Sequence, residues 1–237
     1  MKEINELNIK VIARIQSDFP DKFGIPRQSG LVPETVAEIV FEPQYRSPDA
    51  VKGLAEFSHI WLIWGFSAVK NDVFRAVVKP PKLGGEKRGV FATRSPYRPN
   101  GLGLSSVRLL EVRADTEEGP VLTVAGADLL DGTPIYDVKP YVPYSDAHPE
   151  AAGGFSDVHK KDRVGVHFPE ELLRKIKPEH RDALKKILAL DPRGSYEKQA
   201  GAIYGLHFAE YEVHFKEKDG ILLVTAVEPA ENARKVK

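Results

Sequence analysis

Between Asp131 and Tyr144 the chain crowds together Asp131, Asp137, Lys139, Tyr141 and Tyr144. If residues 135–141 are extended, Asp137, Lys139 and Tyr141 share one face, because side chains alternate along a strand. A carboxylate, an ammonium and a phenol on one face suit binding of a polar ligand. The plainer reading of the start of this stretch makes Asp131-Gly132 a hairpin turn and Thr133-Pro134 the entry to an edge strand. A second chemical feature is electrostatic. From Lys70 to Arg98 there are eight basic residues (Lys70, Arg75, Lys79, Lys82, Lys87, Arg88, Arg94, Arg98) against two acids, Asp72 and Glu86, a surplus of six. Pro80-Pro81 and Gly84-Gly85 interrupt the segment, so its first half reads as a long mobile loop. Lysine and arginine on such a backbone suit contact with nucleic-acid phosphates.

Other chemistries lack their residues. Gly101-Leu102-Gly103 would place the third glycine of a dinucleotide-binding turn at Ser106, and a strand, not a helix, is expected after it. Gly84 to Gly89 lacks the Lys-Ser/Thr that completes a phosphate-binding loop. The seven histidines form no HExxH pair, and the absence of cysteine removes thiol nucleophiles, iron–sulfur clusters and thiolate zinc sites. No metal is expected. The balance of 34 basic against 34 acidic residues argues against a protein that coats nucleic acid indiscriminately, while leaving room for the local basic patch.

The elements that must position these residues are mostly strands. Apolar runs at residues 9–15, 36–41, 57–66, 103–112 and 121–129, several alternating with polar residues, predict a β-rich, barrel-like N-terminal domain. One connecting helix is expected from Ser47 to Leu54, with Ser47 as N-cap and Pro48 at the first helical position. Prolines and Gly153-Gly154 break the pattern between Pro140 and Phe155, which places a domain boundary near Pro149. Domains are therefore expected at residues 1–148 and 149–237. The second should open with two proline-led helices, 169–176 and 178–190, the latter with Leu184, Ile187 and Leu188 on one face. It should close with strands 208–215 and 221–227 joined through Lys216 to Gly220. The fold class is thus α+β. The longest apolar run, Ile60 to Trp64, is far short of the ~20 residues of a membrane span, and the start carries acids where a signal peptide is apolar. A soluble, cytoplasmic protein is expected.

The segment Ala92-Thr93-Arg94-Ser95-Pro96-Tyr97-Arg98-Pro99-Asn100-Gly101-Leu102-Gly103-Leu104-Ser105 resembles the TsaA/YaeB family of tRNA methyltransferases. So does Asp131-Gly132-Thr133-Pro134-Ile135-Tyr136-Asp137-Val138-Lys139-Pro140-Tyr141, with further matches at Pro26-Arg27-Gln28, Phe57 to Trp61, and Asp191-Pro192-Arg193 with Tyr196. Gly101 and Gly194-Ser195 depart from the family pattern. The resemblance implies transfer of a methyl group from S-adenosyl-L-methionine to N6 of threonylcarbamoyl-adenosine, next to the anticodon. It also implies a non-Rossmann β-barrel that binds the cofactor, a C-terminal α+β domain, and a homodimer. Carried onto matching positions, cofactor contacts would come from Pro26, Arg27, Gln28, Phe66, Ser67, Arg94, Leu104, Asp131, Gly132, Thr133 and Pro134.

Methyl transfer is an in-line displacement in which positioning dominates. An acceptor facing the amine N–H would help. Asp131 or Asp137 is expected in that part, with Lys139 and Tyr141 orienting the substrate. Arg98 with Lys79, Lys82, Lys87 and Arg88 should meet RNA phosphates in the anticodon arm, and Tyr97, Tyr141 and Tyr144 should stack on unpaired bases. The competing readings are a methyltransferase acting on another RNA or a small molecule, and a non-catalytic RNA-binding module.

Overall fold

A computed structural model describes residues 7–69, 73–81, 83–159, 162–194, 199 and 201–230. The N-terminal strands are β1 (Ala13–Gln16), β2 (Val36–Phe41), β3 (His59–Gly65), the short pair β4 (Val77–Val78) and β5 (Arg88–Gly89), β6 (Leu102–Arg113), β7 (Val121–Ala125) and β8 (Pro134–Pro140). Six of them close an antiparallel barrel in the order β1-β2-β7-β6-β3-β8. Alternation sends Ile15, Ile39, Ile60, Leu62, Leu122 and Ile135 inward, all with no exposed surface. Burying each such side chain stabilises the fold by about 1.5–3 kcal/mol.

Closure changes the reading of the Asp131–Tyr141 stretch. The turn is present, but β8 is no edge strand, since it pairs with β1 on one side and β3 on the other. Its register slips at Tyr136, where Trp64 faces Ile135 but Ile63 faces Asp137. That bulge resets the alternation. Ile135 and Val138 pack into the barrel core, whereas Asp137 and Lys139 pair with each other at 2.9 Å and are partly exposed.

The helix expected at Ser47 to Leu54 is instead two 3-10 turns, Pro48–Val51 and Leu54–Glu56. Lys52 is extended and Gly53 left-handed (φ 81°), so no regular ladder can run through them. The expected mobile loop carries the two-residue ladder of β4 with β5, so that Val77 faces Gly89 and Val78 faces Arg88.

After β8 comes α1 (Pro143–Asp146), tied to the barrel through Asp146 and Trp61, and the C-terminal part holds α2 (Ser156–His159), β9 (Gly165–His167), α3 (Glu170–Leu173), α4 (Pro178–Ala189), β10 (Ile203–Phe208), β11 (Tyr211–Lys218) and β12 (Ile221–Pro229). The sheet order is β10-β11-β12-β9, with β9 parallel to β12. Helix α4 buries Ala183, Leu184, Ile187 and Leu188 in the second core. The run from Phe208 to Phe215 is not one strand. Ala209 adopts φ 51° and donates its amide to the Asp18 carbonyl at 2.8 Å, which turns the chain between β10 and β11.

That contact belongs to a larger bond between the two parts. Phe19 and Val32, from the stretch between β1 and β2, are buried in the C-terminal core, with Phe23 and Ile25 packed against it. Phe19 meets Phe208 edge-on at 5.4 Å. Gly24 has φ 97°, and a Cβ there would lie 2.0 Å from Leu206 Cδ1, so only glycine lets this strap approach the sheet. The residues that follow, Pro26 to Gln28, are thereby set at the end of the barrel. Among the described residues no helix is long and apolar enough to cross a membrane, and no group of three or more side chains is placed to hold a metal ion.

Candidate active site

At one end of the barrel a cavity of about 670 Å³ opens, a size ordinary for a site that takes a small organic ligand. Its walls come from the strap (Lys22, Ile25 to Gln28), the end of β3 and its following loop (Trp64, Phe66 to Val69), and the 93–98 loop. The start of β6 (Leu102 to Leu104) and the segment from Asp128 to Thr133 complete it. Antiparallel order explains the gathering, because the end of β3 and the starts of β6 and β8 lie at the same rim.

One wall is aromatic. Trp64 and Phe66 meet edge-on at 4.5 Å, and the indole lies against Gly103, where a Cβ would fall 2.3 Å from the ring. The Gly101-Leu102-Gly103 pair is therefore a flat seat for an indole at a strand start, not a phosphate-binding turn. The Trp64 indole N–H donates to Ser105 Oγ at 3.0 Å, and Ser105 Oγ donates to Asp128 Oδ1 at 2.6 Å. Ser105 is buried. Burial raises the Asp128 pKa above the usual carboxylate range, opposed by the Ser105 hydrogen bond, by amides of Asp128 and Ser29, and by the charge of Arg94.

The lining also carries four cations: Lys22, Arg27, Arg94 and Arg98. The Arg94 guanidinium donates to Gln28 Oε1, joining two positions that the sequence marks for the cofactor. Burial lowers the Arg27 pKa from its ordinary value, while the Asp191 carboxylate acts the other way. Arginine stays charged regardless. Asp191 is in turn held by Arg193, whose guanidinium makes two bonds to it, at 2.8 and 3.1 Å.

Of the expected cofactor positions, Pro26, Arg27, Gln28, Phe66, Ser67, Arg94, Leu104 and Thr133 line the cavity. Asp131, Gly132 and Pro134 are not among the lining residues. Asp131 Oδ1 accepts the Ser17 amide at 3.1 Å, the Gly132 carbonyl accepts from Arg14 at 3.1 Å, and Pro134 faces Arg14 across β1. Asp137, Lys139 and Tyr141 do share a face, as the spacing predicts, but it is the outer face of the barrel and none of them lines the cavity. There Tyr141 packs against Trp61 at 5.5 Å, and the Trp61 indole donates to Asp146 at 2.9 Å. Hydrogen bonds from the Val142 amide and from Trp61 lower the Asp146 pKa.

Arg98, expected to meet RNA, folds back into the cavity wall and donates to the Thr93 carbonyl at 2.8 Å. Lys79 and Lys87 are exposed around the β4–β5 hairpin, and Arg88 pairs with Glu86. Lys82 lies outside the described residues. The 73–98 region also exposes Phe74, Val77 and Phe91, and Arg75 covers the Tyr97 ring at 4.2 Å. Sequence reasoning missed Asp128, Ser105, Trp64 and Lys22. The available signal for Asp128 was an isolated acid in the otherwise apolar run from Val121 to Leu130.

A closed antiparallel barrel with an aromatic and cationic cavity at its rim, braced by an α+β unit, defines a small-ligand-binding barrel outside the Rossmann class. The sequence profile described as "tRNA-methyltransferase O N-terminal domain" matches residues 14–147, and that of the TrmO C-terminal domain matches residues 161–230. The chain belongs to the TrmO family of tRNA methyltransferases. It is 35% identical to the Escherichia coli (strain K12) tRNA (adenine(37)-N6)-methyltransferase, over 95% of this chain and 100% of that protein. It is 37% identical to a Pseudomonas aeruginosa protein whose name describes an S-adenosylmethionine-dependent methyltransferase, over 88% and 91% of the two chains. The fold matches a crystal structure of TrmO from Pseudomonas aeruginosa with a TM-score of 0.76 at 32% identity, covering 97% of this chain and 100% of that one.

Proposed function

We propose that this chain methylates N6 of adenine 37 in tRNA with S-adenosyl-L-methionine as methyl donor, and that the accepted base is the threonylcarbamoyl-modified adenosine. The observation that carries the reading is the cavity itself, lined by both cationic and aromatic side chains. S-adenosyl-L-methionine has a carboxylate, a flat purine and a sulfonium, and the cations and aromatic rings of the lining suit the first two. When bound it supplies an electrophilic methyl group. Arg27 and Arg94 suit its carboxylate, Gln28 holds Arg94 in place, and Trp64, Phe66 and Tyr97 offer flat apolar surface to the purine. Thr133, buried beside the Asp131-Gly132 turn, is the threonine of the motif that lines the cavity.

The exposed lysines of the β4–β5 hairpin, Lys79 and Lys87, suit the phosphates of the anticodon arm. Asp137, Lys139 and Tyr141, beside Trp61 on the outer barrel face, suit contact with the RNA around the reacting base. A cytoplasmic homodimer, each chain made of domains at residues 1–148 and 149–237, completes the reading. S-adenosyl-L-methionine at 100 times its dissociation constant should stabilise the protein by about 2.7 kcal/mol, a melting shift of about 5–10 °C. A non-catalytic RNA-binding module would show no shift with the cofactor alone, and that result would overturn the proposal.

A further inference from the structure

We infer that Asp128 is the group that accepts the N6 proton of the target adenine during methyl transfer, with Ser105 and Trp64 as the relay that positions its carboxylate. The inference rests on the proposed methyltransferase reading. Among the described residues Asp128 is the one acidic side chain that lines the cavity, against four cations. The other carboxylates of the region are committed elsewhere. Asp131 accepts the Ser17 amide behind the wall, and Asp137 accepts the Val138 amide at 2.9 Å and pairs with Lys139 on the outer face.

The Asp128 carboxylate lines the cavity and is held by a chain of two hydrogen bonds. Oδ1 is held by the Ser105 hydroxyl at 2.6 Å, and that hydroxyl is fixed in turn by the indole N–H of Trp64 at 3.0 Å. Trp64 is seated on Gly103 and against Phe66, so two paired strands of the barrel, β3 and β6, hold one oxygen. The charged and polar groups facing Asp128 are Arg94 from the 93–98 loop, Ser105 from β6 and the Ser29 amide from the strap. A base whose affinity for a proton is raised by burial is better matched to removing one near neutral pH than an exposed carboxylate is.

In the step, the N6 lone pair forms the new nitrogen–carbon bond as the carbon–sulfur bond breaks, and the sulfur keeps the electron pair as a thioether. The nitrogen would be left positively charged. Asp128 takes its proton, which leaves the N6 of threonylcarbamoyl-adenosine methylated and uncharged, and a carboxylic acid that returns the proton to water. The positive charge lost from sulfur is thus carried off as that proton, so atoms and charge balance.

The test uses the full-length protein with Asp128→Asn and, separately, Ser105→Ala. Three quantities are read: S-adenosyl-L-methionine affinity by calorimetry, the Asp128 carboxyl shift by carbon-13 NMR without substrate, and single-turnover methyl transfer across pH with tRNA and cofactor saturating. Asp128→Asn should lower the saturated rate by about 10²–10⁴-fold with cofactor affinity changed less than about threefold. Ser105→Ala removes a hydrogen bond to the charged carboxylate, so the carboxyl titration and the acid limb of the rate profile should both move to higher pH. Wild-type transfer rates in Asp128→Asn would overturn the assignment. So would a loss confined to cofactor affinity, which would make Asp128 a cofactor contact, or an unmoved acid limb in Ser105→Ala. Wild-type protein that binds the cofactor and methylates no tRNA would overturn the proposed function together with this assignment, and the wild-type control separates that outcome from the others.

Discussion

Gly103→Ala tests whether the aromatic wall of the cavity depends on a bare backbone beneath it. The added Cβ would stand 2.3, 2.4 and 2.6 Å from three carbons of the Trp64 ring. Carbon atoms rest about 3.5–4.0 Å apart, so the indole must retreat by about 1–1.5 Å. The retreat would break the 3.0 Å bond from the indole to Ser105 and loosen the hold on Asp128. Overpacking of this kind costs about 1–3 kcal/mol and the lost hydrogen bond about 1 kcal/mol more. At about 2–4 °C per kcal/mol for a chain of this size, the melting temperature should fall by about 4–16 °C. The displaced ring should also weaken S-adenosyl-L-methionine binding by about tenfold, read by calorimetry. In a Trp61→Phe background, where Trp64 is the remaining tryptophan, its emission should change as it leaves its buried site. If Gly103→Ala melts with the wild type, binds cofactor equally and leaves that emission unchanged, the argument from the close approach is wrong.

Replacing Lys79 and Lys87 with alanine should flatten the plot of log binding constant for tRNA against log salt by about 1.4, taking about 0.7 per released single-strand phosphate contact, with cofactor affinity unchanged. Arg193→Ala should destabilise the protein by about 3–5 kcal/mol in urea melts, because Arg193 is 6% exposed and leaves Asp191 without its guanidinium. Arg193→Lys should recover only part of this, since an ammonium cannot make both bonds. Burial works against protonation of His207, but hydrogen bonds and charge from Asp21 and Glu212 win and raise its pKa above 6.5. That contribution to stability is fully present below pH 6.5 and is lost as pH rises through the folded-state value. His207→Gln should flatten the stability difference between about pH 5.5 and pH 9 in urea titrations.

The strands were legible because a barrel wall imposes alternation on its residues: Val36–Phe41 and His59–Gly65 show it plainly. Two features escaped for physical reasons. Ala209 turns the chain at positive φ without being glycine, asparagine or aspartate, since a tertiary bond to the Asp18 carbonyl compensates the local strain. The bulge at Tyr136 places Asp137 and Lys139 on the outer face, and nothing in a period-two pattern reveals where such a slip occurs. The cavity lining was legible where residue types sit in contiguous motifs, as with Pro26 to Gln28 and Arg94. Asp128 was not, because its meaning depends on Ser105, twenty-three positions away in the chain and brought beside it by barrel closure. The even balance of charge likewise hid an uneven cavity, whose described lining holds four cations and one half-buried acid.

The most direct test of the central claim is transfer of labelled methyl groups from S-adenosyl-L-methionine to tRNA that carries or lacks threonylcarbamoyl-adenosine at position 37, with the product nucleoside identified by mass spectrometry. The account predicts label on N6 of the modified adenosine and none on tRNA without it. Label on neither tRNA, from protein that binds the cofactor, would contradict it.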